Sequence, residues 1–147
     1  MVSTGMPKNT SLYNVKVFHL ICPEGNVIMT NDIHVYGIIN CTTVKKALTW
    51  LDERNIAYVF HDYKKAGVPR ERLVAWCKTL GWKTLLNSKG TTWRKLSAEQ
   101  QDITTQSKAV ATMMEFSSVI RRPIVETPNG QILVGFDPTI FESFLHP

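Results

Sequence analysis

The tightest constraint on this chain is a strand, a helix and a second strand packed into fewer than thirty residues, from Ile33 to His61. Ile33, Val35 and Ile38 are β-branched residues around Tyr36 and Gly37, the pattern of a short buried strand. Thr42 or Thr43 supplies a cap for a helix whose apolar residues fall at Val44, Ala47, Leu48 and Leu51, the spacing of one buried face. Lys45, Lys46, Asp52 and Glu53 largely occupy the opposite side, and Ala57 to His61 reads as the second strand. A crossover this short implies parallel pairing of the two strands and a right-handed connection.

After this unit the pattern changes. Pro69 stands where a helix begins, Leu73, Trp76, Cys77 and Leu80 form its apolar face, and Gly81 ends it. Three further short helices are predicted: Trp82 to Leu86, Ser97 to Ile103 (Ser97 and Gln100 have capping-box spacing), and Ser107 to Phe116. Ile124 to Glu126 and Ile132 to Val134 then flank a turn with Asn129-Gly130 at its tip, a hairpin signal, and a last helix runs from about Pro138 to Leu145. The order β-α-β, helical insertion, β-β-α suits one domain over residues 31–147, with the insertion at about 69–116. Residues 1–30 mix Ser, Thr, Asn, Gly and Pro with one modest apolar segment and read as an extension with little order.

Composition narrows the function. The 147 residues are 44% hydrophobic and 20% charged, values of a globular chain rather than a disordered one. No apolar run approaches the roughly 18 residues of a membrane span. Val15 to Cys22 is a poor signal-peptide core because Lys16 and His19 interrupt it, so the expected location is the cytoplasm. The net charge is +5, yet the basic residues are dispersed in short clusters, which disfavours a dedicated nucleic-acid binder. Three cysteines and four scattered histidines offer no even disulfide framework and no metal-ligand spacing, so no bound metal is expected.

Among those cysteines Cys41 has the telling position, between the first strand and the first helix. A thiol there meets the unsatisfied N–H groups of the helix's first turn and the positive end of its dipole. Both favour the thiolate, the nucleophilic form, and the same N–H groups can cradle an anion. The bland alternative, a buried structural cysteine at a strand end, carries equal weight on this position alone. A phosphatase-type loop is excluded because Ala47 stands where its arginine belongs, and a CxxC dithiol because Val44 stands at the second sulfur. Any resolving thiol must therefore come from glutathione or a distant cysteine. Cys77 sits at helical spacing on an apolar face and reads as core.

Five segments in order carry a resemblance: Gly37-Ile38-Ile39-Asn40-Cys41, Leu85-Leu86-Asn87, Gly90 to Leu96, Arg121-Arg122-Pro123-Ile124 and Leu133-Val134-Gly135-Phe136. Together they resemble the arsenate-reductase-related family, which includes the ArsC arsenate reductases, the Spx regulators and the YffB-type proteins, and they are nearest to the YffB-type branch. The resemblance spans roughly Ile33 to Leu145. It implies a thioredoxin-like α/β fold with a mixed four-stranded sheet and a helical insertion, in agreement with the element order.

The resemblance also implies roles. Cys41 falls on the family nucleophile, Arg122 on an arginine that contacts the oxyanion, and Pro123 on the thioredoxin-fold proline whose preceding peptide bond is cis. Asn40, Lys89 and Arg94 are the further candidates for substrate binding. Two other arginines of the arsenate reductases are missing: Asn87 stands at one position, with Lys89 nearby, and Gly135 at the other. Loss of two bidentate anion ligands weakens the case for arsenate, since a lysine offers only a point charge. The resulting expectation is a glutathione-dependent monothiol oxidoreductase acting on a small oxyanion or a thiol/disulfide substrate, with glutathione as co-substrate and no bound cofactor. The rivals are an Spx-like regulator that docks on RNA polymerase and a true arsenate reductase.

Overall fold

A computed structural model describes residues 32–145 of the chain. The expected N-terminal extension, residues 1–30, and Cys22 with it, lies outside the described residues. Two compact units emerge: one from described residues 32–62 and 123–145, the other from Tyr63–Arg122.

The first unit is built on a four-stranded sheet of order β2-β1-β3-β4, with β1 Ile33–Gly37, β2 Tyr58–Asp62, β3 Ile124–Glu126 and β4 Ile132–Val134. β1 and β2 pair in parallel with Tyr36 opposite His61, whereas β1 with β3 and β3 with β4 pair antiparallel. The sheet is therefore mixed, as the sequence pattern and the resemblance require. Helix α1, Thr42–Glu53, supplies the parallel crossover, and the buried residues of its inner face are Val44, Ala47, Leu48, Trp50 and Leu51. They join Val35, Tyr58, Phe60, Val125 and Phe141 in one apolar core, with Phe141 contributed by the last helix, Pro138–Leu145.

The boundaries of α1 refine the sequence reading. Cys41, not Thr42 or Thr43, is the N-cap, in an extended backbone conformation. At the other end Asn55 adopts φ +55°, and Ile56 N–H returns to the Leu51 carbonyl at 3.0 Å, so a left-handed asparagine closes the helix. Arg54 lies over the Trp50 ring at 3.9 Å from its centroid, placing a cation at the negative end of the helix dipole. The predicted hairpin forms, with Gly130 at φ +87° in its tip.

The second unit contains α2 Tyr63–Ala66, α3 Arg70–Leu80, α4 Trp82–Leu85, α5 Thr91–Arg94, α6 Ala98–Gln101 and α7 Gln106–Glu115, then a 3-10 turn at Ser117–Val119. The last helix, Pro138–Leu145 in the first unit, is α8. The capping box at Ser97 and Gln100 is present in both directions. Leu73, Trp76 and Cys77 bury the inner face of α3, as their spacing predicts, and Ala109, Val110 and Met113 that of α7. The one-turn helices α2 and α5 were not legible, since four residues offer no periodicity and neither has the capping-box spacing that marks α6.

Candidate active site

β1 ends at Gly37, and Ile38 to Asn40 turn the chain into α1. The Cys41 N–H closes that turn on the Ile38 carbonyl at 3.0 Å, and the Cys41 carbonyl accepts the N–H of Lys45 at 3.0 Å. Cys41 is half-buried, packed against the sheet's core, and its thiol takes no capping hydrogen bond. No acidic residue stands in the first turn of α1. A twelve-residue helix thus directs its positive end at the sulfur, and its own first turn holds no carboxylate. Asn40 is exposed in the turn. Continuing the antiparallel register one step beyond Tyr36 and Ile124 brings Pro123 beside Gly37, at the same end of the sheet as Cys41. Pro123 is buried, and its carbonyl accepts the N–H of Gly135 at 2.8 Å.

The other sequence candidates belong to the second unit. Lys89 and Arg94 are exposed and share one loop, in which the Arg94 guanidinium donates to the Lys89 carbonyl at 2.9 Å. Asn87 organises the same loop, its Oδ1 accepting the Lys89 N–H at 3.3 Å. Trp93, in the same loop, is half-buried. Arg122 is half-buried too; its Nη1 donates to the carbonyls of Ser118 at 2.8 Å and Ile120 at 3.0 Å. Its Nε is buried and finds no acceptor among the described residues. Part of this guanidinium therefore braces its own loop.

Cys77 provides the contrast. It is buried in α3, and burial pushes its thiol above the ordinary range, which suits a core residue and not a nucleophile. Two features escaped the sequence reading. A cleft of about 370 Å³ runs along α1, lined by Thr42, Lys45, Lys46, Thr49, Trp50 and Glu53 with Phe136 as its far wall. The signal was present as a second stripe at helical spacing beside the apolar one. The other feature is a pair of histidines on the β1–β2 seam, with His34 Nδ1 and His61 Nε2 at 2.9 Å. Among the described residues no group of His, Cys, Asp and Glu could hold a metal ion, and no helix is long and apolar enough to cross a membrane.

The family model for ArsC proteins matches residues 36–144. The chain belongs to the ArsC family. An uncharacterised protein of Haemophilus influenzae is 37% identical over 111 residues, covering 76% of this chain and 96% of its own length. The solved structure of the YFFB protein is 47% identical, covers 76% of this chain and 96% of that one, and superimposes with a TM-score of 0.72. An arsenate reductase (ArsC) related protein from Brucella melitensis is 39% identical, covers 80% of this chain and 98% of that one, and gives a TM-score of 0.63. Membership of the ArsC family supports a thiol-dependent redox function in general terms.

Proposed function

We propose that this ArsC-family protein is a glutathione-dependent monothiol oxidoreductase in which Cys41 is the nucleophile. The observation that carries the reading is Cys41 itself: a half-buried thiol at the N-cap of α1, with no acidic residue in the first turn and Pro123 at the same sheet end. In the reaction the Cys41 thiolate attacks one sulfur of a glutathione mixed disulfide. A new sulfur–sulfur bond to Cys41 forms as the old one breaks, and the departing thiolate takes a proton from water. A glutathione thiolate then attacks the adduct and releases Cys41, so the substrate is reduced and glutathione is oxidised. Arg122, the residue before Pro123 in the chain, is the cation this reading assigns to anionic parts of the substrate. The Spx-like reading is disfavoured because Val44, at the place of a second thiol, is fully buried in the core. Arsenate is disfavoured because it needs several convergent cations to offset its desolvation.

The test is the pH dependence of alkylation by iodoacetamide, read site by site by mass spectrometry. Cys41 is expected to react with a midpoint well below about 8.5, the value of a model thiol, while Cys77 stays protected. A Cys41 midpoint at or above that value would remove the basis of this reading.

A further inference from the structure

The cleft along α1 is not accounted for by the nucleophile alone. Its helical lining, Thr42, Lys45, Lys46, Thr49, Trp50 and Glu53, follows one face of α1 and begins one residue after Cys41. At the helical rise this strip is about 16 Å long, and an extended tripeptide needs about 10 Å. Lys45 and Lys46 are exposed, and neither ammonium is paired with a carboxylate among the described residues. Two adjacent unpaired cations therefore stand one turn from the sulfur, with the hydroxyls of Thr42 and Thr49 beside them. The cleft's apolar wall is Trp50 and Phe136. Trp50 is 5% exposed, and its indole N–H finds no acceptor among the described residues.

We propose that this cleft seats the non-reacting part of an acidic low-molecular-weight thiol, with Lys45 and Lys46 holding its carboxylates and Trp50 and Phe136 its apolar stem. The inference rests on the reading of Cys41 as nucleophile and adds to it a selectivity: thiols and disulfides bearing carboxylates react faster than neutral ones. In each case the Cys41 thiolate attacks a disulfide sulfur, one half becomes bonded to Cys41, and the other leaves as a thiolate that is then protonated.

The experiment follows adduct formation at Cys41 of the full chain, read by mass spectrometry, with glutathione disulfide and with neutral hydroxyethyl disulfide. In the double variant Lys45→Gln/Lys46→Gln the rate with glutathione disulfide is expected to fall about tenfold, the size of two exposed charge contacts. The rate with hydroxyethyl disulfide stays within about twofold, because loss of two cations acts on it only through the thiolate. Equal losses with both disulfides would overturn the proposal, since the lysines would then tune the sulfur and touch no substrate. A second measurement separates the cleft from the chemistry: S-methylglutathione binding to the Cys41→Ser protein, followed by NMR. Weakening by about tenfold in the triple variant supports the cleft even if Cys41 proves inert to both disulfides; unchanged or absent binding sinks it.

Discussion

In the proposed reaction Cys41 has two jobs with opposing requirements. As the N-cap of α1 it occupies a position where serine is among the best residues and a thiol is a poor hydrogen-bond acceptor. Cys41→Ser should therefore abolish adduct formation while raising stability by about 0.5–1 kcal/mol, seen as a higher denaturant midpoint. A loss of stability would show that the sulfur's packing against the core outweighs the cap. Gly135 is constrained differently. Its φ of +91° lies in the left-handed region, and its N–H is committed to the Pro123 carbonyl. Gly135→Arg, the substitution that the resemblance to arsenate reductases points to, should cost about 1–3 kcal/mol in backbone strain and give no arsenate turnover. Thermal melts and an arsenate assay check both halves. Position 135 thus favours glycine through its backbone conformation.

At the scale of elements, α1 holds Cys41 only as firmly as its inner face holds the sheet. Leu51 is fully buried in that face, so Leu51→Ala should destabilise the protein by about 2–5 kcal/mol and slow alkylation of Cys41 little while the fold persists. Denaturant titration measures the first effect and iodoacetamide kinetics the second. On β1 and β2, the ring centroids of His34 and His61 are 5.1 Å apart with nitrogens at 2.9 Å. That separation is what two rings give when their nitrogens point at each other, so the contact is an in-plane N–H···N bond with one donor and one acceptor. Nitrogen NMR at neutral pH should find one ring protonated and the other bare at the paired positions; two protonated nitrogens would contradict the bond. β1, β2 and the long helices were legible because apolar periodicity over five to twelve residues reports burial directly, and the three-residue β3 and β4 because Asn129-Gly130 marks the turn between them. The cap was misassigned because threonine's propensity outranks cysteine's there, and packing of Cys41 against the core overrides propensity. The histidine pair was invisible because it depends on strand register, which no local pattern encodes.

For the molecule as a whole, the net charge of +5 favours encounter with anionic partners, and its reach shrinks with salt. Reaction of Cys41 with glutathione disulfide should slow between about 10 mM and 0.5 M salt, over which the Debye length falls severalfold, while hydroxyethyl disulfide is barely affected. Stopped-flow rates at several ionic strengths decide it. The order of elements also has a temporal meaning. β1 pairs with β2 on one side and with β3 on the other, but the sixty residues of Tyr63–Arg122 separate these partners in the chain. During synthesis at about 5–20 residues per second, the open edge of β1 waits roughly 3–12 s for β3 to leave the ribosome. Val35 and Leu51 lack Val125 for the same interval, and Phe141 for about 1–3 s longer. A nascent chain stalled just past Arg122 should therefore be a strong client for holdase chaperones, and one extended until α8 has emerged should be released from them.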